Sequence, residues 1–258
     1  MLVKRLIRYV WVALALLMVG CVQLSGASYT INHITTQVTL NISTSASVQE
    51  TFNISVSNSS VSQYISDRTA LNLTLSNWQS IIGSSLTQHI INPKTGVYNF
   101  RLLPGPLLSS PGGVQQAVIT ILYDVNNVTA VNQTAPRTFV YSFNPDVFNY
   151  QHEQSGEVLT ANSTLTIILP KSAKITTIFP IPDYPTTFIT GSNVTTVSWF
   201  YQEPLSKFAL TFVTGESVQH EVLSFFAAIY DYLGIFTYVI IIVAVLLFIL
   251  YTYFKTEK

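Results

Sequence analysis

The chain has little charge of either sign. Its 258 residues include 12 Lys or Arg and 12 Asp or Glu, which make up 9% of the sequence and leave no net charge. Ordinary soluble domains carry about 25% charged residues. Binding to nucleic acid requires clustered Lys and Arg that neutralise phosphates, and the basic residues between positions 28 and 215 are scattered instead. The composition therefore gives no reason to expect nucleic acid as a partner.

The scarcity of acidic side chains also bears on the environment of the protein. A fold that relies little on ionised carboxylates loses little stability when the pH falls through about 4, near their ordinary pKa. Solubility must then come from hydroxyl groups, amide groups and attached sugar. The composition fits a protein that faces an acidic medium outside the cell. The alternative is a protein with a polar, glycosylated surface in a medium of any pH.

Cysteine is almost absent, since Cys21 is the only one in the chain. A disulfide inside residues 28–258 is therefore excluded, and with it the class of small secreted modules that depend on disulfides for their stability. We expect a packed hydrophobic core to stabilise the folded region instead.

Catalytic motifs are also lacking. The sequence has no G-x-S-x-G elbow, no glycine-rich phosphate loop and no HExxH pair. His152 lies beside Glu153 in the stretch YQHEQSGE, but this spacing alone indicates a polar loop or hairpin turn more than a metal site. We predict no catalytic, cofactor or metal site and no enzymatic activity. Trp78 and Trp199 are expected to pack in the core or at its edge, with sugar stacking as the alternative.

The N-terminus has the pattern of a secretory signal peptide. A basic segment precedes an apolar run, Tyr9–Val22, and small residues near Ala27 predict cleavage after it, so residues 1–27 form the leader. Two alternatives stay open. LMVGC resembles a lipobox with Met18 at its first position, which would make Cys21 a lipidation site, and an uncleaved leader would form a second membrane span. The basic residues are Lys4, Arg5 and Arg8.

The C-terminus predicts a single membrane span at residues 234–254. Nothing from Tyr232 to Phe254 is charged, and about 20 apolar residues suffice to cross the hydrocarbon layer. Lysines in the tail, residues 255–258, mark the cytoplasmic side, and tyrosines lie near both expected interfaces. The preceding residues 216–233 predict an amphipathic juxtamembrane helix.

Between the two ends the dominant pattern is an alternation of apolar and polar residues. HITTQVTLNIS places Ile34, Val38, Leu40 and Ile42 on one face, and VQETFNISVSN repeats the pattern, which predicts a hairpin of two half-buried strands. Residues 61–82 allow a helix, although LNLTL within them favours a strand. Further strands are predicted at 96–103, 117–125, 137–143, 163–169, 173–179, 195–201 and 207–213.

Many short strands without βαβ alternation predict a mainly β fold, an antiparallel β-sandwich ectodomain followed by the transmembrane helix. The loop-rich stretch around residues 125–137 divides the strands into two groups. We therefore expect two units, a β-rich unit at 28–135 and a β-sandwich unit at 136–215.

Eight N-x-[ST] sequons provide candidate N-glycosylation sites. On a strand, Asn41 and Ser43 share the face opposite the apolar one, and so do Asn53 and Ser55, so N-glycans there would coat the outside without entering the core. A chain rich in Asn, Ser and Thr also forms sequons by chance. The candidates are Asn41, Asn53, Asn58, Asn72, Asn127, Asn132, Asn162 and Asn193.

Leader, sequons, β exterior, lone span and basic tail together resemble archaeal single-pass (type I) surface glycoproteins of thermoacidophiles. The resemblance implies an ectodomain outside the cell membrane and a cytoplasmic C-terminus. It also implies work as a structural, accessory or scaffold subunit of a surface or membrane complex, with lipid and an envelope protein or a second copy as partners. The alternative is an extracellular module that binds sugar or peptide and feeds a transporter.

Overall fold

The computed structural model describes most of the region between the two predicted membrane-targeting ends. Described are residues 29–70, 74–109, 114–135, 137–154, 156–186, 191, 194–200 and 202–215, together with 225, 227–228, 230–232, 234, 242–243 and 245–247. The predicted leader (1–27) and tail (255–258) lie outside these residues, as do most of 216–233 and 234–254. Apart from Gly234, which is in a turn, the described residues beyond 215 are helical. In the part of the chain covered here, no helix combines the length and the hydropathy needed to cross a bilayer.

The predicted hairpin is confirmed. Strand β1 (Tyr29–Leu40) pairs antiparallel with β2 (Ala46–Val56), and in both strands every second side chain is buried over most of the length. The period of two puts the apolar side chains on one face because successive side chains of a strand point to opposite faces. Ile42 is the exception to the predicted face, because β1 ends at Leu40 and Ile42 lies exposed in the hairpin turn.

Five strands join the hairpin in one sheet: β3 (Tyr98–Pro104), β4 (Leu108–Ser109), β5 (Gln115–Val125), β10 (Ser163–Ile168) and β12 (Thr196–Trp199). The hairpin forms the centre of this seven-stranded sheet, whose order is β12-β10-β1-β2-β5-β3, and β4 also pairs with β5. The pairing of β1 with β10 is parallel, so the prediction of a purely antiparallel architecture is wrong at this ladder. A parallel pair requires a long crossover, and here more than 120 residues separate the two strands.

Two smaller sheets complete the β structure. A four-stranded antiparallel sheet has the order β11-β14-β7-β6, and a three-stranded one the order β13-β9-β8. The stretch predicted to be loop-rich contains β6, which pairs with β7 although it has few apolar residues, because its side chains face mainly solvent. The strands are β6 (Thr129–Ala135), β7 (Thr138–Phe143), β8 (Gln151–Glu153), β9 (Gly156–Leu159), β11 (Lys174–Phe179), β13 (Glu203–Pro204) and β14 (Ala209–Gly215).

Two helices occupy the stretch that allowed either helix or strand. They are α1 (Val61–Thr69) and α2 (Leu75–Ile82), so the helical alternative is the one observed among the described residues. The Thr74 hydroxyl caps α2 by accepting from the Asn77 amide at 3.4 Å. Each helix inserts one aromatic side chain into the core, and the rings of Tyr64 and Trp78 meet edge to face with centroids 5.7 Å apart.

One hydrophobic core joins the three sheets and both helices. It includes buried side chains of the seven-stranded sheet, such as Phe52 and Ile121, and of the four-stranded sheet, such as Phe212. Trp199 is buried in this core as well and packs against Phe208, so the predicted packing role of both tryptophans is confirmed. The predicted boundary between residues 135 and 136 does not coincide with a boundary between sheets, because β10 and β12 join the sheet that β1, β2, β3 and β5 form.

Candidate functional site

A carboxylate lies in the middle of the core. In β2 the side chains of Val48, Glu50 and Phe52 alternate with exposed or half-buried ones, so Glu50 is in phase with the buried face. Across the ladder it faces Thr36 of β1, which is also fully buried. Glu50 has no exposed surface.

Three donors satisfy the Glu50 carboxylate. The His89 backbone amide donates to Oε1 at 2.6 Å, and His89 Nδ1 lies 2.9 Å from Oε2. The Tyr123 hydroxyl, which projects from β5, donates a short hydrogen bond to Oε1, and it accepts from the Ile90 amide at 3.2 Å. Burial of an uncharged polar group without hydrogen-bond partners costs on the order of 2–7 kcal/mol of folding free energy. Burial of a carboxylate without partners costs more. The network thus ties the loop that carries His89 to β2 and β5.

Burial keeps the tyrosines of this region in the neutral form. It is the largest cause that raises the pKa of Tyr123 well above its ordinary value, and the nearby Glu50 charge adds to the effect. Burial likewise raises the pKa of Tyr150 far above its ordinary value. The Tyr150 ring packs on the His89 imidazole, with centroids 4.7 Å apart and planes inclined at 35°. The imidazole is therefore held on one edge by Glu50 and on one face by an uncharged aromatic ring.

His89 lies at the wall of a groove of about 790 Å³. Four parts of the chain form it: β1, the loop after α2, the loop that leads into β8, and the loop between β9 and β10. None of the lining residues is Asp, Glu, Lys or Arg. They are Ile31, Ile34, Ser84, Ser85, Thr87, His89, Asn149, Tyr150, Gln151, Thr160, Ala161 and Asn162.

The geometry fixes what His89 can do in the groove. Because Nδ1 faces a carboxylate, it carries the hydrogen in the neutral ring, and Nε2 is then an acceptor. Among the described residues Nε2 has no hydrogen-bond partner, so no described Ser or Thr forms the nucleophile–base pair that covalent catalysis requires. The arrangement is suited to hold a ligand through one oriented hydrogen bond and several hydroxyl and amide groups.

A second unusual surface, which we term the apolar edge, consists of Phe179, Ile181, Tyr184 and Phe200. All four side chains are exposed, Ile181 by 73%. The segment is firmly attached to the fold: the Tyr184 amide and carbonyl bond to Ser198 at 3.1 and 2.9 Å, and the Phe200 amide donates to Asp183 at 2.8 Å. These hydrogen bonds fix the backbone of the apolar edge, so its apolar side chains are exposed on an ordered segment.

The structure places most predicted sequons at the surface. Asn53 is half-buried on the polar face of β2, while Asn72 and Asn193 lie outside the described residues. Their glycosylation stays a prediction. The exposed sequon residues are Asn41, Asn58, Asn127, Asn132 and Asn162, and the last of these lines the groove.

The histidines are separated by the fold. His152 lies in the β8–β9 hairpin, in agreement with the predicted hairpin turn, and His33 contacts Thr164 at 3.0 Å. Within the described ranges no group of three or more His, Cys, Asp or Glu could hold a metal ion. The possible lipidation site, Cys21, lies outside these ranges.

Sequence reasoning missed Glu50 and His89. The sequence did contain a signal for Glu50. The alternation that predicts β2 puts Glu50 on the same face of the strand as Val48 and Phe52. A charged residue in phase with a buried face indicates a buried, partnered group. No local pattern marked His89, which lies 39 residues further along the chain.

Comparison with known proteins gives little further information. No protein-family model matches this chain, and no curated protein matches it. Among solved structures, the NMR structure of the folded domain of the Mycobacterium tuberculosis protein LppM aligns with 74% of this chain and 94% of that domain, at 8% identity and a TM-score of 0.26. A similarity of this size carries no argument about fold or function.

Proposed function

We propose that this protein is a membrane-anchored envelope protein whose ectodomain lies outside the cell and serves as a structural or accessory subunit of a surface or membrane complex. The leader and the apolar C-terminal segment of the sequence support the location. The apolar edge is the observation that supports the role, because a rigid surface with four exposed large apolar side chains is typical of a docking site for another protein.

The strand pairing in the four-stranded sheet places the apolar edge and the last residue of β14 at opposite ends of that sheet. Gly215, the last residue of β14, pairs with Thr138, whereas Ala209 at the start of β14 pairs with Phe179. The chain thus leaves the sheet toward the proposed membrane anchor at the end opposite the apolar edge. Seven residues of strand separate these ends by roughly 20 Å.

This separation bears on the occupant of the apolar edge. A surface at the end of the sheet opposite the residue from which the chain continues to the anchor favours an occupant other than the bilayer that holds the anchor. A protein partner in the envelope is therefore the occupant that we propose. Phe, Tyr and Ile side chains at such a surface match the aromatic-rich, charge-poor centres of protein interfaces.

Photocrosslinking in native membranes tests the proposal. A photoreactive phenylalanine derivative at position 181 should form one dominant, stoichiometric adduct, and its mass distinguishes a second copy of this chain from a different envelope protein. The same residue at position 62, an exposed position of α1, is the matched control. The adduct should disappear when Phe200→Ser is added to the chain labelled at 181. Equal labelling from both positions, or a product that persists with Phe200→Ser, would refute the docking role.

The second candidate function is a ligand-binding module, and the groove beside His89 favours it. The groove has the concave shape and the convergent polar groups that such a site requires. The tryptophans do not contribute to it, because Trp78 and Trp199 are buried in the core.

A further inference from the structure

We propose that the groove beside His89 is a binding site for a neutral carbohydrate, with His89 Nε2 as the oriented hydrogen-bonding group. This inference concerns a surface other than the apolar edge and does not depend on the membrane anchor. It rests on the charge of the lining, on the types of polar group present and on the way His89 is held.

The lining contains no Asp, Glu, Lys or Arg. A charged ligand that loses its water in the groove would find no side chain of opposite charge to replace that water, which makes its binding costly. The Glu50 carboxylate, which contacts His89, is already bonded by His89 and Tyr123. The groove therefore selects against phosphates, carboxylates and amines and favours an uncharged ligand.

The polar groups of the lining match the hydroxyl groups of a sugar. Ser84, Ser85 and Thr87 offer hydroxyls, each of which can donate one hydrogen bond and accept others. Thr160 adds a hydroxyl that is already bonded to Ser163 at 2.7 Å. Gln151 and Asn162 add amide donors and acceptors, whereas Asn149 adds only its side-chain oxygen, because its Nδ2 donates to the Gln88 carbonyl at 2.8 Å. Sugar hydroxyls have the same double capacity, so one face of a sugar ring can be bonded in several ways without a charge.

An apolar strip lies beside these groups. Ile31, Ile34 and Ala161 line the same groove, and the Tyr150 ring flanks it. The C–H face of a pyranose ring is apolar and packs on such surfaces, while its hydroxyl rim requires hydrogen bonds.

Contacts on several sides hold His89 in place. Its side chain is 8% exposed, its amide and Nδ1 both bond to Glu50, and rings of Phe52 and Tyr150 lie within 6.0 and 4.7 Å of it. A polar group that is already oriented loses little conformational entropy when it binds. Nε2 is the polar atom of this ring that the fold leaves for a ligand.

Histidine-selective NMR of the full chain in lipid nanodiscs tests the site directly. The protein should come from a host that does not N-glycosylate, because a glycan on Asn162 would lie at the groove, and sugar-headed detergents must be avoided because they would compete. The probes are maltotriose, mannose and diacetylchitobiose, with glucuronate and glucosamine as charged counterparts. We expect at least one neutral probe to shift the ring resonance of His89 while those of His33 and His152 stay unchanged.

Two matched variants locate the binding. Ser85→Trp fills the groove and should weaken binding of the active probe at least tenfold, while Ser62→Trp on α1 should leave it unchanged. The proposal fails if no neutral probe moves the His89 resonance in folded protein, or if a charged counterpart binds more tightly. It also fails if the two Trp variants weaken binding equally. Because none of these results involves position 181, they are distinct from a failure of the proposed docking role.

Discussion

The neighbourhood of Glu50 and the apolar edge depart from the usual distribution of residues in opposite directions. The first buries a carboxylate, an imidazole and a phenol in the core, and the second exposes Phe, Ile and Tyr to solvent. They differ in whether other parts of the described chain contact the unusual side chains. Each carboxylate oxygen of Glu50 has a donor, whereas the side chains of the apolar edge lie open.

This difference separates stability from function. The Glu50 network connects β2, β5 and the loop of His89, so its loss should weaken the fold before it affects any partner. The apolar edge contributes little buried area, so its loss should leave the fold intact and affect binding alone. Variants of the two regions should therefore fall into two classes, one defined by unfolding and the other by association.

The largest effect is expected for Glu50→Ala. The substitution leaves the His89 amide, His89 Nδ1 and the Tyr123 hydroxyl without their acceptor. Each buried donor that is left unsatisfied costs about 1–3 kcal/mol, so the free energy of unfolding should fall by roughly 3 kcal/mol or more. Urea unfolding measures it, with the exposed neighbour Gln49→Ala as the control. A loss of the same size in both variants would contradict the role assigned to the network.

A smaller loss is expected for Tyr123→Phe. The ring and its packing remain, while the Glu50 carboxylate loses one donor and the Ile90 amide loses its acceptor. The free energy of unfolding should fall by about 1–2 kcal/mol. In the Glu50→Ala background the same substitution should cost less, because the two residues share one network. Strictly additive losses in this double-mutant cycle would argue that the two side chains act independently.

The interior should also resist ionisation of its tyrosines. Burial raises the pKa of Tyr64 to about 12, above its ordinary value of 10.0, and its hydroxyl donates to the Gly105 carbonyl at 2.8 Å. The unfolded chain loses the proton first as the pH rises, so the contribution of Tyr64 is complete below pH 10 and disappears as the pH approaches 12. Tyr64→Phe should make unfolding stability decline less steeply over this range. Identical slopes in the two proteins would exclude the effect.

The smallest change in stability is expected at the apolar edge. Ile181 is 73% exposed, so Ile181→Ser removes little buried area and should alter the free energy of unfolding by less than about 0.5 kcal/mol. The same substitution should abolish recovery of the partner from native membranes. A large stability loss would show that Ile181 belongs to the packed core, and the comparison between the two regions would no longer hold.

Much of the fold follows from local patterns in the sequence. The alternation in HITTQVTLNIS and VQETFNISVSN predicts the β1–β2 hairpin because a period of two defines the buried face of a strand. The parallel pairing of β1 with β10 could not be predicted in this way, since it joins residues that are far apart and carries no turn signal. Strand β6 was missed because its polar side chains lack the alternation.

The candidate sites follow from the sequence to a lesser degree. The burial of Glu50 could have been predicted from its position in the alternation of β2. Its hydrogen-bond partner His89 comes from a loop that is distant in the sequence. The apolar edge includes Phe179 and Ile181 from one segment and Phe200 from another, which the bridge between Tyr184 and Ser198 brings together. Contacts of this kind depend on the tertiary fold, and a periodicity in the sequence does not encode them.

The location of the two ends is tested most directly by cysteine labelling in intact cells. The sole native thiol, Cys21, belongs to the predicted leader, so Ile181→Cys and Lys258→Cys each add one defined site, and the unmodified chain gives the background. An anchored ectodomain outside the cell predicts that a membrane-impermeant maleimide labels position 181 in intact cells and position 258 only after permeabilisation. Labelling of position 258 in intact cells, or protection of position 181, would contradict the account.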